Sequence, residues 1–148
     1  MWSTLSKMKS FLLSYLLCPI FLSAFTIDYE VKIYDAILSA LFPKKSTIVI
    51  WTDNHERDTV LYKLHNIRIT YVMENADLLL IGSKNTHLHN SMMKFVTSYK
   101  LLKRYEKSAI GGFYWKKGRP NIIFLQKNLQ KYNIKLPSSL SEYIEDSL

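Results

Sequence analysis

The sequence predicts a single-domain layered α/β sandwich, with a mixed central sheet between helices. Three observations lead to this fold class. The chain has 148 residues, of which 48% are hydrophobic and 22% are charged, the size and composition of one folded domain. Continuous apolar runs, typical of strands covered on both faces, alternate with stretches of helical periodicity. Two apolar runs near the C-terminus flank a basic, Gly-containing turn, which indicates a β-hairpin and therefore a mixed sheet.

The N-terminus has the features of a secretory signal peptide. Lys7 and Lys9 precede residues 10–24, which are almost wholly apolar and carry no charge. That stretch is shorter than the roughly 20 residues of a membrane-spanning helix, and a positive segment, a short apolar segment and a small residue follow in the order of a cleaved signal. We therefore expect a signal peptide over residues 1–24 and an exported domain over residues 25–148. Cleavage is expected within a few residues of that boundary. An uncleaved membrane anchor is the alternative.

The first half of the domain predicts a helix, a strand, a second helix and two more strands. Apolar residues recur at three- and four-residue steps in the first helix, and Pro43 follows its end. The first and third strands are continuous apolar runs, whereas the second alternates like a half-buried strand. In chain order the predicted elements are a helix from Thr26 or Asp28 to about Phe42, a strand at residues 47–51, a helix at 55–64, and strands at 67–72 and 76–81.

The second half begins with a polar loop, residues 84–91, and predicts shorter elements. A short strand and a basic helix precede the hairpin, and a helix with apolar residues at suitable spacing follows it. Pro137 opens a final helix. The predicted elements are a strand at residues 94–98, a helix at 99–105, hairpin strands at 108–115 and 121–125, a helix at 125–132, and a last helix capped by Ser138 or Ser139 with Leu140, Tyr143 and Ile144 facing inward.

Charge is unevenly distributed along the chain. Without Lys7 and Lys9 the domain has 18 basic and 12 acidic residues, and twelve of the basic residues but only one acidic residue lie in residues 84–135. A positive region of this kind favours anionic partners and accelerates encounter with them, although a solvated cationic face is the plainer alternative. An acidic partner protein, phospholipid headgroups or an anionic ligand fit an exported protein. Nucleic acid, which such a protein rarely meets, is not an expected partner.

The predicted hairpin is the most distinctive segment and the first candidate site. A Gly pair inside a strand pattern indicates a bulge or a close approach of the backbone. Large rings then stand beside cations, and aromatic residues with Arg dominate binding hot spots. The alternative is that the rings face the core and the charges solvate a turn. The candidate partner-binding residues are Gly111, Gly112, Trp115, Lys116, Lys117 and Arg119.

A second candidate site lies at the ends of two buried strands. Ligands of open α/β sheets bind outside the carboxyl ends of the strands, where glycine and polar residues can hold an anion or a small solute. A strand-to-loop turn without a ligand is the alternative. The candidate ligand-binding residues are Thr52, Asp53, Gly82 and Ser83.

The sequence carries no pattern for catalysis, a cofactor or a metal. The G-x-S-x-G elbow and the phosphate-loop and dinucleotide motifs are absent. The single Cys, Cys18, lies in the predicted signal peptide, so the mature domain has no thiol and no disulfide. His87 and His89 stand two residues apart in the polar loop and could share a metal, but no carboxylate is near them in the sequence, and an exposed loop is favoured. We expect a binding protein that is not an enzyme.

The domain resembles the YfiR-like periplasmic proteins. The resemblance is carried by the exported address, the short α/β domain and residues 109–128, in which a basic turn and an apolar strand follow Gly111 and Gly112, and Asn128 begins a helix. It covers roughly residues 30–148. It implies a regulatory domain without catalytic residues, because proteins similar to YfiR bind the periplasmic portion of a membrane-bound diguanylate cyclase and restrain it, often as dimers. The absence of mature cysteines departs from the better-known members and argues against redox-switched regulation here.

These observations predict an exported domain that controls a membrane-bound signalling protein, of the diguanylate cyclase or sensor kinase type, by protein–protein contact. A homodimer is part of that expectation. The alternative function is a small solute-binding or anion-binding periplasmic protein, for which the second candidate site would hold the ligand.

Overall fold

Seven strands form one mixed sheet in the computed structural model, which describes residues 26–83 and 91–148. The strands are β1 (Ile48–Thr52), β2 (Ile67–Ile69), β3 (Leu78–Ile81), β4 (Lys94–Val96), β5 (Ala109–Lys116), β6 (Arg119–Leu125) and β7 (Ile144–Glu145). Their spatial order is β2-β1-β3-β4-β5-β6-β7. The first five strands in this order run parallel, β6 is antiparallel to β5, and β7 is parallel to β6. The predicted α/β class with a mixed sheet is therefore confirmed.

Helices cover both faces of this sheet. The α-helices are α1 (residues 26–41), α2 (Asp58–Tyr62), α3 (Tyr99–Arg104) and α4 (Gln126–Lys131), and 3-10 helices occupy His55–Arg57, Met73–Asn75 and Ser138–Tyr143. In the residues that the structure describes, no helix has the length and apolar character needed to cross a membrane. The predicted signal peptide, residues 1–24, and the loop with His87 and His89 lie outside the described residues.

Two apolar cores result from the alternation of side chains along the buried strands. Leu78 and Leu80 of β3 face one core, which α1, α2 and α4 complete, whereas Leu79 and Ile81 face the other, which α3 completes. All four side chains are at most 1% exposed, and burial of each contributes roughly 1.5–3 kcal/mol to stability before entropic costs. The continuous apolar runs in the sequence thus reflect strands that are covered on both faces, as predicted.

The second predicted strand and the last predicted helix differ from the structure in length or type. β2 ends at Ile69 because Thr70 starts a local turn, in which its Oγ1 accepts a hydrogen bond from the Val72 N–H at 3.2 Å. Tyr71 and Val72 are consequently exposed. The last predicted helix is a 3-10 helix that Pro137 precedes, and Ile144 leaves it to pair with β6 as part of β7.

The hairpin turn is shorter than the sequence predicts. β5 and β6 extend to paired residues Lys116 and Arg119, which leaves only Lys117 and Gly118 between them. Both turn residues have positive φ, 51° and 73°, the geometry of a tight hairpin turn that matches strand twist. Lys116 and Arg119 are therefore held on the ends of paired strands, and Lys117 lies in the two-residue turn between them.

The buried Asn128 fixes α4 to the start of β5. Its Nδ2 donates to the carbonyl oxygens of Glu106 at 2.7 Å and Ala109 at 2.6 Å. These carbonyls lie just before and at the beginning of the strand, so the side chain sets where β5 enters the sheet. The Asn128 that contributes to the YfiR resemblance thus has a structural role in this chain.

Candidate functional site

The second candidate site and the basic part of the first lie at the carboxyl edge of the parallel strands. β1, β3, β4 and β5 end at this edge, so the residues that follow them converge there. The second candidate site follows β1 and β3, and the basic part of the first follows β5. This edge is where open α/β sheets bind ligands.

The structure brings the second candidate site together at the point where the strand order reverses. After β1 the chain passes to β2 on one side of it, whereas after β3 it passes to β4 on the other side. The Asp53 carboxylate accepts hydrogen bonds from the N–H groups of Gly82, at 2.6 Å, and Ser83, at 3.1 Å. Thr52 Oγ1 accepts from the Asn54 N–H at 3.0 Å.

These contacts occupy the groups that an anion would need. Asp53 supplies a carboxylate to the two amides at the end of β3, and a Cβ at Gly82 would lie 2.4 Å from Asn54 Cβ. Gly82 therefore permits the close packing of Asn54, whose Oδ1 accepts from the Glu56 N–H and so caps the 3-10 helix. The geometry favours a closed connection between β1 and β3 over an anion site at these amides.

The glycine pair of the first candidate site is buried inside β5. A Cβ at Gly111 would lie 2.3 Å from the carbonyl oxygen of Ile123, and one at Gly112 would lie 2.8 Å from Val96 Cγ2. The close approach expected from the sequence is present, but it joins neighbouring strands of the same sheet. Gly111 and Gly112 are thus unavailable to a partner at the surface.

The cations of the hairpin remain at the surface. Lys116, Lys117 and Arg119 are exposed, and none of them forms an ion pair with a residue in the described ranges. Lys116 Nζ lies 5.9 Å from the ring centroid of Tyr99, and Lys103 Nζ lies 5.1 Å from the same centroid. Both distances are within the range of cation–π attraction. Tyr99, which is 40% exposed, therefore extends the basic surface of the hairpin onto α3.

Trp115 is held by a buried carboxylate. Its indole Nε1 donates a hydrogen bond to Glu30 Oε1, and Arg57 Nη1 donates to Glu30 Oε2. Glu30 is only 6% exposed, and a carboxylate at that depth requires such partners. The Trp115 ring also packs against Tyr29 and Phe113, with centroid distances of 6.2 and 6.1 Å. Trp115 is half-buried and held by these contacts, in contrast to the three exposed cations.

The sequence patterns do not identify Glu30 and Arg57 as site residues, although the position of Glu30 in α1 gives an indication. Glu30 lies four residues before Tyr34 in α1, on the side of the helix that faces the sheet. An acidic residue on an apolar face must find a cation or hydrogen-bond donors. The identity of those donors depends on tertiary structure, because Trp115 is 85 positions away.

A buried hydroxyl lies next to this ion pair. Tyr34 is 1% exposed, and its OH has no hydrogen-bond partner among the described residues. Burial raises the pKa of the Tyr34 hydroxyl well above its usual value, while the charges of Arg57 and Glu30 act on it in opposite directions. Tyr34 therefore remains a neutral phenol whose ring packs edge-on against Phe113 at 5.3 Å.

A cleft of about 390 Å³ lies between these groups at the carboxyl edge. It combines two cations with two hydroxyl side chains and three aromatic rings. Its lining residues are Arg57, Thr97, Ser98, Tyr99, Tyr114, Trp115 and Lys116. The arrangement can bind an anionic group and stack against it. Across the described ranges, no cluster of three or more His, Cys, Asp or Glu residues could hold a metal ion.

A larger groove, of about 730 Å³, lies between α1 and the segment before the last 3-10 helix. Its walls include Ala36, Ala40, Pro43 and Leu136, with Lys135 as its cation. It contains none of the predicted site residues and few polar groups. The cleft at the carboxyl edge, with its cations and aromatic rings, is therefore a stronger candidate for a binding site than this groove.

Comparison of the chain with protein-family models, with curated proteins and with solved structures found no match in any of the three.

Proposed function

We propose that this chain is an exported regulatory domain that binds a membrane-bound signalling protein, of the diguanylate cyclase or sensor kinase type, and controls it by contact. The contact surface that we propose consists of Tyr99, Lys103, Lys116, Lys117 and Arg119, with Trp115 at its base. We call it the basic hairpin surface. The partner would present a complementary acidic surface, and the compartment would be the periplasm.

The observation that carries this proposal is the combination of a rigid support with unpaired charge. The cations stand at the ends of paired strands rather than in a long loop, and Trp115 beneath them is fixed by Glu30. A preorganised surface loses less conformational entropy on binding than a flexible one. Its charge steers an acidic partner and selects against basic ones.

The sequence supports the cellular part of the proposal. The resemblance to YfiR-like proteins over residues 109–128 implies restraint of a membrane-bound cyclase, and the N-terminal segment has the order of a signal peptide. We include a homodimer in the proposal on the same resemblance.

Site-specific photo-crosslinking in living cells tests the proposed contact. A photoreactive residue would replace Lys117 in one strain and Lys44 in another. Lys44 is an equally exposed lysine that precedes β1 and so lies at the opposite, amino edge of the sheet. We expect illumination to join the position-117 protein to a membrane-bound cyclase or kinase, identified by mass spectrometry, and the position-44 protein not to be joined to it.

Two results would contradict the proposal. Equal crosslinking from both positions would show contact without use of the basic hairpin surface. A position-117 protein that crosslinks to no membrane protein, although it is exported and folded, would exclude the contact itself.

A further inference from the structure

We propose that the cleft between Arg57, Tyr99 and Lys116 binds a small aromatic phosphate, with the phosphate on the two cations and the ring against the aromatic wall. This inference concerns a small ligand and does not rest on the proposed partner. It also moves ligand binding away from the second candidate site, where the Asp53 carboxylate already accepts from the amides of Gly82 and Ser83.

Arg57 is oriented for recognition of an oxyanion. A guanidinium has five N–H donors in a fixed plane, and within the described residues the one hydrogen bond of the Arg57 side chain is that from Nη1 to Glu30. The buried carboxylate holds Nη1 of Arg57, and the same side chain, which is 19% exposed, also lines the cleft. A guanidinium held in this way can present two parallel donors to a phosphate.

Lys116 supplies the net positive charge that the Arg57–Glu30 pair lacks. Its ammonium group is exposed and lies over Tyr99, and Lys103 lies over the same ring. None of the described residues that line the cleft is acidic. Glu30 lies behind Arg57, and Glu145 is close enough to contribute to the raised pKa of Tyr114, for which burial is the larger cause.

The remaining walls suit a ring and a few hydrogen bonds. Tyr99, Tyr114 and Trp115 provide aromatic surface, and the rings of Tyr99 and Tyr114 are 5.9 Å apart. Ser98 Oγ accepts from the Leu101 N–H at 3.2 Å, which leaves its O–H as a donor. The volume of about 390 Å³ falls in the range of small-molecule sites, roughly 300–1,000 Å³.

Three simple compounds separate the contributions of the ring and the anion. Phenyl phosphate carries both, inorganic phosphate carries only the anion, and phenol carries only the ring. Titrations of the purified, isotope-labelled protein, followed by amide NMR shifts, would report both affinity and location. We expect saturable shifts at Arg57, Tyr99 and Lys116 with phenyl phosphate, and binding at least about fivefold weaker for the other two compounds, because stacking and charge pairing each contribute at this scale.

Variants that keep the fold intact assign the binding to the cleft. Arg57→Lys retains a cation beside Glu30 but loses the two-donor geometry, and we expect about tenfold weaker binding of phenyl phosphate. Lys116→Gln and Tyr99→Leu change exposed side chains, and each should weaken binding about fivefold. Lys44→Gln, at the opposite edge, is the matched control and should bind as the wild type does.

The titrations also define what would overturn the inference. Absence of saturable shifts at the cleft with phenyl phosphate would do so, as would wild-type affinity in Lys116→Gln and Tyr99→Leu. Shifts confined to Gly82 and Ser83 would place the ligand at the strand-order reversal instead. None of these results depends on the membrane partner, so failure here leaves the crosslinking test of the basic hairpin surface unaffected.

Discussion

Glu30 connects three parts of the molecule through a single carboxylate. It joins α1 to Arg57, which follows β1, and to Trp115 near the end of β5. A buried carboxylate with both oxygens occupied is stable only while its partners stay in place. At the scale of the residue, the positions of Arg57 and Trp115 at the carboxyl edge therefore depend on an acidic side chain that is itself buried.

We predict that Glu30→Ala lowers the free energy of unfolding by about 2–3 kcal/mol, because it leaves a partly buried guanidinium and the indole N–H without their acceptor. Urea denaturation measures the change. Glu56→Ala, an exposed acidic residue in the 3-10 helix that contains Arg57, is the control and should change stability by less than about 0.5 kcal/mol. Equal effects of the two substitutions would show that the buried hydrogen bonds contribute nothing.

At the scale of the element, β5 and β6 depend on two glycines for different reasons. Gly111 allows the two strands to approach, because a side chain there would meet the Ile123 carbonyl oxygen. Gly118 has a φ of 73° in the turn, but open space surrounds it. One glycine is thus required by packing between strands, and the other by backbone conformation alone.

We predict that Gly111→Ala destabilises the protein more than Gly118→Ala. The first substitution forces the strands apart and should cost about 3 kcal/mol, whereas the second should cost about 1 kcal/mol from the left-handed backbone. Thermal or urea unfolding of the two variants gives the comparison. A larger loss of stability in Gly118→Ala than in Gly111→Ala would contradict this prediction. It would mean that β5 and β6 can accommodate a side chain at position 111 and stay paired.

Asp77 fixes the start of β3 against β1. Its Oδ2 accepts from the Val49 N–H at 2.9 Å, and Lys45 donates to Oδ1. Burial on its own raises the pKa of the Asp77 carboxyl, but the hydrogen bonds from Lys45 and Val49, with the charges of Lys45 and Arg68, outweigh it and lower the pKa. These contacts hold the residue that directly precedes β3 against the neighbouring strand β1.

The lowered pKa of Asp77 predicts the direction of its pH dependence. Because the folded protein binds this proton more weakly than the unfolded chain, the ionised carboxylate stabilises the fold above about pH 4, and that contribution is lost as pH falls through the folded pKa. The Asp77→Asn variant has no carboxylate at this position and so lacks that contribution. The difference in free energy of unfolding between wild type and variant should therefore shrink as the pH falls from about 6 to about 2. Urea unfolding at several pH values measures it, and parallel curves would contradict the assignment.

Local patterns explain which elements were predictable from the sequence. The apolar runs of β1 and β3 and the stripe of α1 carry their own periodicity, so they were predicted within a few residues. β2 was overextended because a hydrogen bond of Thr70, rather than a change of hydropathy, ends it. The hairpin turn is shorter than the composition predicts because a lysine with positive φ has no composition signal.

At the scale of the whole molecule, the site is assembled from residues that are distant in the chain. The sequence identified Trp115 and the hairpin cations, but not Arg57, Glu30 and Tyr99, which reach the same place from three other elements. The order of the strands in the sheet brings these residues together. Because that order results from pairing between distant parts of the chain, local sequence patterns do not predict it. The same cause brings Asp53 to Gly82 and Ser83, whose N–H groups donate to its carboxylate, while Thr52 accepts from the neighbouring Asn54.

The proposed function requires that the basic hairpin surface bind a membrane-bound signalling protein. Its most direct test is copurification of that protein with affinity-tagged chain from detergent-solubilised envelopes. The test variant is Lys116→Glu/Lys117→Glu. The matched control is Lys44→Glu/Lys107→Glu, which makes the same charge change at two exposed lysines that precede β1 and β5 at the amino edge.

We predict that wild-type and control protein retain the cyclase or kinase, whereas the test variant loses at least about nine-tenths of it, because two reversed charges repel an acidic partner. Retention of the partner by the test variant at the level of the control would contradict the account.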